Sequence, residues 1–265
     1  MPPETDADIA RARAASGDEL QTLLHDAREE ILLALIENPN LEEPHVAIVL
    51  ERLDLPATVL SAVAAKPHWA ALESVRARLA RHPRTPKKIA LALVRQLYLF
   101  DLVKLSLIPS APADIRRIAE EVVVGRVPHL SAGEKLTLAR RAPSRVAAAL
   151  VAEGHPQALK IALENPRLTE SQVLKVLAKV GVAERVVVAI AQHAKWCSQY
   201  NVRMALMQNS HTPAGAVAAF LPSIPLPGLN EMSALGGLAP HLKKYLEEEY
   251  ARRTGLAVAR PLQSC

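Results

Sequence analysis

The chain has 265 residues, half of them apolar, yet only 3% are aromatic, 10 are glycine, two are cysteine and 20 are proline. That length can bury a core, the Ala, Leu and Val share beside Arg and Glu favours helix, and collagen-like, disulfide-framework and low-complexity classes are excluded. The formal charge of +5 is uneven: residues 1–40 carry three Arg against nine acids, and the rest carries 29 basic against 18 acidic residues. An acidic leader therefore precedes a basic body whose field attracts polyanions or acidic protein surfaces.

The opening residues, MPPETDADIARARAASGDELQ, hold no basic stretch followed by an apolar run, so no secretory signal is read, and a cytoplasmic location with reduced Cys197 and Cys265 is expected. No uncharged apolar run approaches the ~18 residues of a membrane span, so no membrane insertion is expected. Residues 1–37 read as one or two amphipathic helices, with Ser16 or Asp18 as cap before Glu19–Glu37. A residue before proline is pushed out of the helical region, so Asn38-Pro39 and His82-Pro83 end helices, as does Asn165-Pro166. Thr85, Ser131, Thr169 and Thr212 are then expected as N-caps, with Pro86 and Pro213 at the first helical position and Glu134 or Gln172 completing capping boxes. Val59–Ala65, Val146–Val151 and Val186–Ala191 are nearly uncharged and are expected as helices buried between neighbours. LPSIPLPGLNEMSALGGLAP is too rich in Pro and Gly for continuous helix. The last helix should turn Leu242, Tyr245, Leu246 and Tyr250 inward, and a loose tail should follow Thr254.

The chain repeats itself. Lys66–Pro86 superposes without gaps on His193–Pro213, matching Trp69 with Trp196, Val75 with Val202, Arg76 with Arg203, Leu79 with Leu206 and Thr85-Pro86 with Thr212-Pro213, at an offset of 127 residues. ALIENPNLEE and IALENPRLTE make Asn38, His82, Asn165 and Asn209 equivalent, separated by 44, 83 and 44 residues. A weaker junction at Val127-Pro128 splits the 83 into 45 and 38, so about five units of 38–45 residues result. The period, the proline-started helices and the run Asp114-Ile-Arg-Arg-Ile-Ala119 resemble HEAT or armadillo repeats, or the related bacterial leucine-rich repeat variants, over residues 30–253. That resemblance implies an all-α, right-handed α-solenoid whose inner helices line a binding groove, and it implies no chemistry. The expected organisation is a single domain over 1–253, with capping helices in 1–37, repeats in 38–221, an atypical cap in 222–253 and a flexible tail in 254–265.

Arg76, Arg116 and Arg203 are read as equivalent residues of three units, forming a row that grips anions or, as the HEAT-like resemblance implies, braces neighbouring units. Arg78, Arg81, Arg84, Lys87, Lys88 and Arg95, with His82, crowd one junction, and Arg140, Arg141 and Arg145 follow in the next units. Clustered cations supply salt-sensitive affinity for nucleic acid, although charged faces are ordinary on solvated helices and only Tyr98 and Phe100 are near to stack bases. Trp69 and Trp196 read as packing residues; as groove residues they would suit the HEAT-like DNA glycosylases, for which no catalytic Asp can be matched. His193 and Cys197, four apart, do not by themselves make a metal site. No phosphate loop, nucleophile elbow or paired-carboxylate arrangement is found. The expectation is a non-enzymatic scaffold without cofactor or metal that binds a protein partner, acidic by the sign of the field, with nucleic-acid binding through the basic middle repeats as the alternative.

Overall fold

The structure, a computed structural model, describes residues 3–234 and 240–255, and every regular element among them is a helix. The chain divides into two units, Met1–Arg126 and Val127–Cys265. The first holds α1 (Pro3–Ala14), α2 (Gly17–Leu23), α3 (Glu29–Ile36), α4 (Glu43–Glu51), α5 (Ala57–Ala65), α6 (Pro67–Ala71), α7 (Glu73–Arg81), α8 (Lys87–Gln96), α9 (Leu99–Leu107) and α10 (Ala113–Arg126). The second holds α11 (Ala132–Arg141), α12 (Ser144–Glu153), α13 (Pro156–Leu163), α14 (Glu170–Leu177), α15 (Glu184–Gln192), α16 (Ala194–Cys197), α17 (Tyr200–Met207), α18 (Ala214–Phe220), α19 (Leu226–Ala234) and α20 (Pro240–Thr254), with 3₁₀ turns at Val127–His129 and Leu221–Ser223.

Apart from α1 and α11, every helix of the first unit has a counterpart that starts 127 residues later: Gly17 and Ser144, Glu29 and Pro156, and so on to Ala113 and Pro240. The offset read from one segment thus extends to the whole fold. At this offset 29 of the 126 positions of the first unit carry the same residue, yet the cores correspond far more closely. Leu20 and Ala147, Leu24 and Val151, Val59 and Val186, Val63 and Ile190, and Leu97 and Ile224 are all buried pairs. Burial needs an apolar side chain of suitable volume and not one identity, so pattern survives where sequence drifts. Helix pairings recur in step: α1 packs on α3 as α11 on α13, α3 on α5 as α13 on α15, α4 on α7 as α14 on α17, and α8 on α10 as α18 on α20. Of the three uncharged stretches, the one in α12 is buried except for half-buried Ala149, while those in α5 and α15 bury one face and leave Ser61, Ala62 and Ala64, and Val188 and Ala189, half-buried.

The junctions explain the prolines. At Asn38, His82, Asn165 and Asn209 the side chain accepts from the backbone N–H two residues on, at 2.7, 3.1, 2.8 and 3.0 Å, and the backbone carbonyl accepts from the N–H three residues on. The same side chains also close earlier helices. Asn38 Nδ2 donates to the carbonyls of Ala12 and Ala15 at the end of α1, and Asn165 Nδ2 donates to those of Ala139 and Ala142 at the end of α11. His82 accepts at Nδ1, which leaves Nε2–H to donate to the carbonyl of Arg52 after α4 at 2.7 Å. Each arrangement satisfies carbonyls that a helix C-terminus leaves unpaired. A further junction at Ile108-Pro109-Ser110-Ala111-Pro112 repeats the backbone pattern without a polar side chain.

The caps differ in part from expectation. Ser131 and Glu134 form the expected capping box. Thr85 and Thr212 do not cap the following helices, whose N-cap positions fall on Pro86 and Pro213. Their hydroxyls instead donate backwards to the carbonyls of Leu79 and Leu206, at 2.7 and 2.5 Å. Thr169 sits at an N-cap but makes no cap bond, because its hydroxyl lies among those of Ser144 and Ser171, and Gln172 completes no box. Ser16 likewise caps by position alone. The N-terminal stretch forms three helices, broken where Asp26 accepts from the backbone N–H of Arg28. The Pro-rich stretch is interrupted, yet α19 is helical: Pro227 falls in its first turn, where no N–H is needed, and a Cβ on Gly228 would stand 2.7 Å from the Tyr200 hydroxyl. In α20, Leu246 is buried and Tyr250 half-buried, while Tyr245 is exposed. The side chain of Leu242, the tail from residue 256 and Cys265 lie outside the described residues.

Two consequences are measurable. Asn38→Ala and Asn165→Ala each remove two donors from buried carbonyls and should each lower unfolding free energy by about 2–4 kcal/mol in urea. In α20, hydrogen bonds from Arg252 and then Arg253 outweigh the opposing effect of burial and hold the Glu249 carboxylate down at about 2. A carboxylate with a depressed folded value stabilises fully above its unfolded value of about 4.5, and that contribution fades as pH falls toward 2. Glu249→Gln should therefore flatten the acid limb of a stability profile measured between those values.

Candidate functional site

The structure places most of the expected arginines in internal contacts. Arg76 is largely buried, its Nη2 2.5 Å from Glu73 and its Nη1 3.3 Å from the carbonyl of Ala70. Arg203, its counterpart, donates to Ser223 Oγ at 2.7 Å. Arg116 lies in α10, where the register pairs it with Lys243. The 127-residue offset thus equates Arg76 with Arg203. Arg78 and Arg81 both reach Glu51 Oε1, Arg84 donates to the carbonyl of Asp54 at 2.7 Å, and Lys87 pairs with Asp114 at 2.7 Å. Hydrogen bonding from Lys87 holds the Asp114 carboxyl below its ordinary range. Lys88, Arg95 and Arg140 are exposed and have no ion-pair partner among the described residues. Arg141 is exposed, with its carbonyl engaged by Arg167, and Arg145 is half-buried.

Arg78 and Arg81 flank a groove of about 410 Å³ between α7 and α9, lined on one side by Glu73, Ser74, Ala77, Arg78 and Arg81 and on the other by Asp101, Lys104, Leu105 and Ile108; Glu73 is itself paired with Arg76. The lining residues recur at helical spacing, so each helix offers one face. An adjoining hollow of about 320 Å³ shares Arg81 and Ile108 and brings in Leu50, Glu51 and Leu53. Glu51 and Lys104 were absent from the sequence reading. The acid lies 27 and 30 residues before its two arginines, within the 23–33-residue reach of the helix-closing bonds made by Asn165, His82 and Trp196, and that interval could have pointed to it.

The second unit provides an internal comparison. Counterparts of Arg78, Arg81, Arg84, Lys87, Lys88 and Arg95 are Ala205, Gln208, His211, Ala214, Gly215 and Pro222, and that of Glu51 is Ala178. The counterpart of the adjoining hollow at Glu51, about 260 Å³, is lined by Leu174, Leu177, Ala178, Ala205, Gln208 and Asn209, with no charge. The same helices and junctions form without the cluster, so folding does not demand it. Lys87 and Lys88 even occupy the first turn of α8, where the helix dipole disfavours cations. The first unit as a whole carries 16 basic and 18 acidic residues, and the second 16 and nine. Around Arg78 and Arg81 the positive charge is therefore local and opposed by acids on the same unit. The leader's own acids pair elsewhere, Asp8 with Arg28, Glu19 with Arg11 and Glu37 with Lys66.

Trp69 and Trp196 are buried at matching positions, in keeping with packing. Trp196 Nε1 donates to the carbonyl of Leu163 at 2.9 Å, whereas Trp69 Nε1 is buried without a partner. The Lys66–Glu37 ion pair has its counterpart in His193 Nε2, 3.0 Å from Glu164. Cys197 is half-buried and free, and among the described residues no three His, Cys, Asp or Glu converge as metal ligands. No described helix is long and apolar enough to cross a membrane. No protein-family model, curated protein or solved structure matches the chain.

The duplicated tryptophans make a paired test. Trp196→Phe strands the carbonyl of Leu163 and should cost about 1 kcal/mol more in urea unfolding than Trp69→Phe, which removes a donor that has no acceptor.

Proposed function

We propose that each unit is a short α-solenoid stack and that the protein is a non-enzymatic binding platform whose first unit recognises an acidic segment of a protein partner. The stack reading is supported by the way helices pair with others one to three elements along, α1 with α3, α3 with α5 and α4 with α7. It is supported too by helix-closing bonds that reach 23–33 residues along the chain. A repeat whose contacts stay local exposes long, rigid helix faces, and a rigid face lowers the ordering cost of binding.

The observation that carries the binding reading is the contrast at six positions: Arg78, Arg81, Arg84, Lys87, Lys88 and Arg95 in one unit, and no fixed charge at their counterparts in the other. Cations that the fold can do without, two of them in a helix turn that disfavours them, are accounted for by a ligand of opposite charge. The partner is taken as a protein because the cluster stands in a unit with more acids than bases and its arginines already share carboxylates. A duplex held through many phosphates would call for a broad positive field.

Retention on immobilised poly-glutamate tests this. Replacing Arg84 by His and Lys87 and Lys88 by Ala should lower the salt concentration of elution while leaving the unfolding midpoint within a few degrees. Unchanged retention would remove the reason for the reading. Tighter, steeply salt-dependent retention on duplex DNA than on poly-glutamate would shift it to nucleic acid.

A further inference from the structure

Resting on that reading, we infer that the groove between α7 and α9 is the primary carboxylate-binding site, taking a short extended acidic segment of a partner protein that displaces Glu51 from Arg78 and Arg81. Arg78 and Arg81 line the groove and both reach one oxygen of Glu51, which lines the adjoining hollow. Each guanidinium carries five N–H donors. Arg78 gives one to Glu51 and one to the carbonyl of Ser74, and Arg81 gives one to Glu51, so donors remain for a second carboxylate. The Glu51 side chain is 57% exposed, and an ion pair that open to water is weak. Exchange for a partner's carboxylate therefore sacrifices little.

The groove also sets the size and apolar content of the ligand. α7 spans nine residues, about 13 Å at the helical rise, which matches about four residues of extended chain. Ala77, Leu105 and Ile108 form an apolar strip beside the arginines, so alternation of acidic and apolar side chains suits it. In the second unit Ala205 and Gln208 stand where Arg78 and Arg81 do, and Gly228 and Glu231 where Asp101 and Lys104 do, so the corresponding helix pair offers a carboxylate no cation. The charges select the ligand.

The second unit also supplies substitutions that the fold tolerates. Fluorescence anisotropy of a labelled hexapeptide of alternating Leu and Glu, with the Leu and Gln peptide as control, reads affinity for the full chain at low salt. Arg78→Ala with Arg81→Gln should weaken binding about tenfold or more. Glu51→Ala, which frees both guanidiniums, should tighten it about two- to fivefold. Lys88→Ala with Arg95→Ala, elsewhere in the cluster, should weaken it less than the arginine pair does. Circular dichroism checks that each variant keeps its helices. The assignment is overturned if the arginine pair has no effect, if Glu51→Ala fails to tighten binding, or if the Gln peptide binds equally well. Binding that depends on Lys88 and Arg95 alone would sink the groove and leave an acidic partner standing; a wild-type chain that binds neither this peptide nor poly-glutamate would sink both. A single-stranded oligonucleotide that displaces the peptide more strongly than poly-glutamate would overturn the choice of a protein ligand.

Discussion

The last carbonyls of a helix have no partner within it, and a chain that breaks its helices with proline makes many such ends. Glycine in the left-handed conformation commonly closes a helix, and here Gly154 after α12 and Gly255 after α20 take it, with φ of 77° and 70°. At several other ends the donors come from side chains further along. Arg52 closes α2 through the carbonyls of Leu24 and Asp26, Asn38 closes α1, His82 closes α4, and Arg126 reaches those of Leu97 and Arg95 after α8. The second unit repeats the device with Asn165, Trp196 and Arg253. Each bond ties a helix end to an element 23–33 residues downstream, which holds the spacing of the helices that pack between them.

Much of this could be read from the sequence because it depends on rare residue types. Proline after Asn or His marks the junctions, and the two tryptophans fix the offset of 127 residues. Apolar stretches without charge foretold the burial of α12 and of one face of α5 and α15. The full extent of the duplication was harder to see, since a core position accepts Leu, Val, Ile or Ala of suitable size and identity erodes while burial persists. Ile108 was overlooked because its junction is held by backbone bonds alone, although His82-Pro-Arg-Thr-Pro86 and Ile108-Pro-Ser-Ala-Pro112 share their proline spacing. Thr85 and Thr212 misled because a hydroxyl before a helix can donate backwards as readily as it accepts forwards.

The candidate site was legible as a charge density and illegible as an arrangement. The arginines were visible; that Arg76 is spent on Glu73 and Ala70, while Arg78 and Arg81 share Glu51, depends on which helix face meets which neighbour. Nor could the sequence weigh fold against ligand. The comparison that does so needs residues matched across the two units by structure, so that the ordinary charged surface of a helix can be told from charges its twin omits.

Each unit carries one tryptophan, and their surroundings differ. Trp196 has a bonded indole N–H and the Lys195 ammonium 4.1 Å from its ring centroid; Trp69 has an unbonded N–H and the His68 ring 4.3 Å away. The emission of the two indoles should therefore differ in colour and quenching, and the chain carries an intrinsic optical label for each half, able to report whether the halves melt together or in succession.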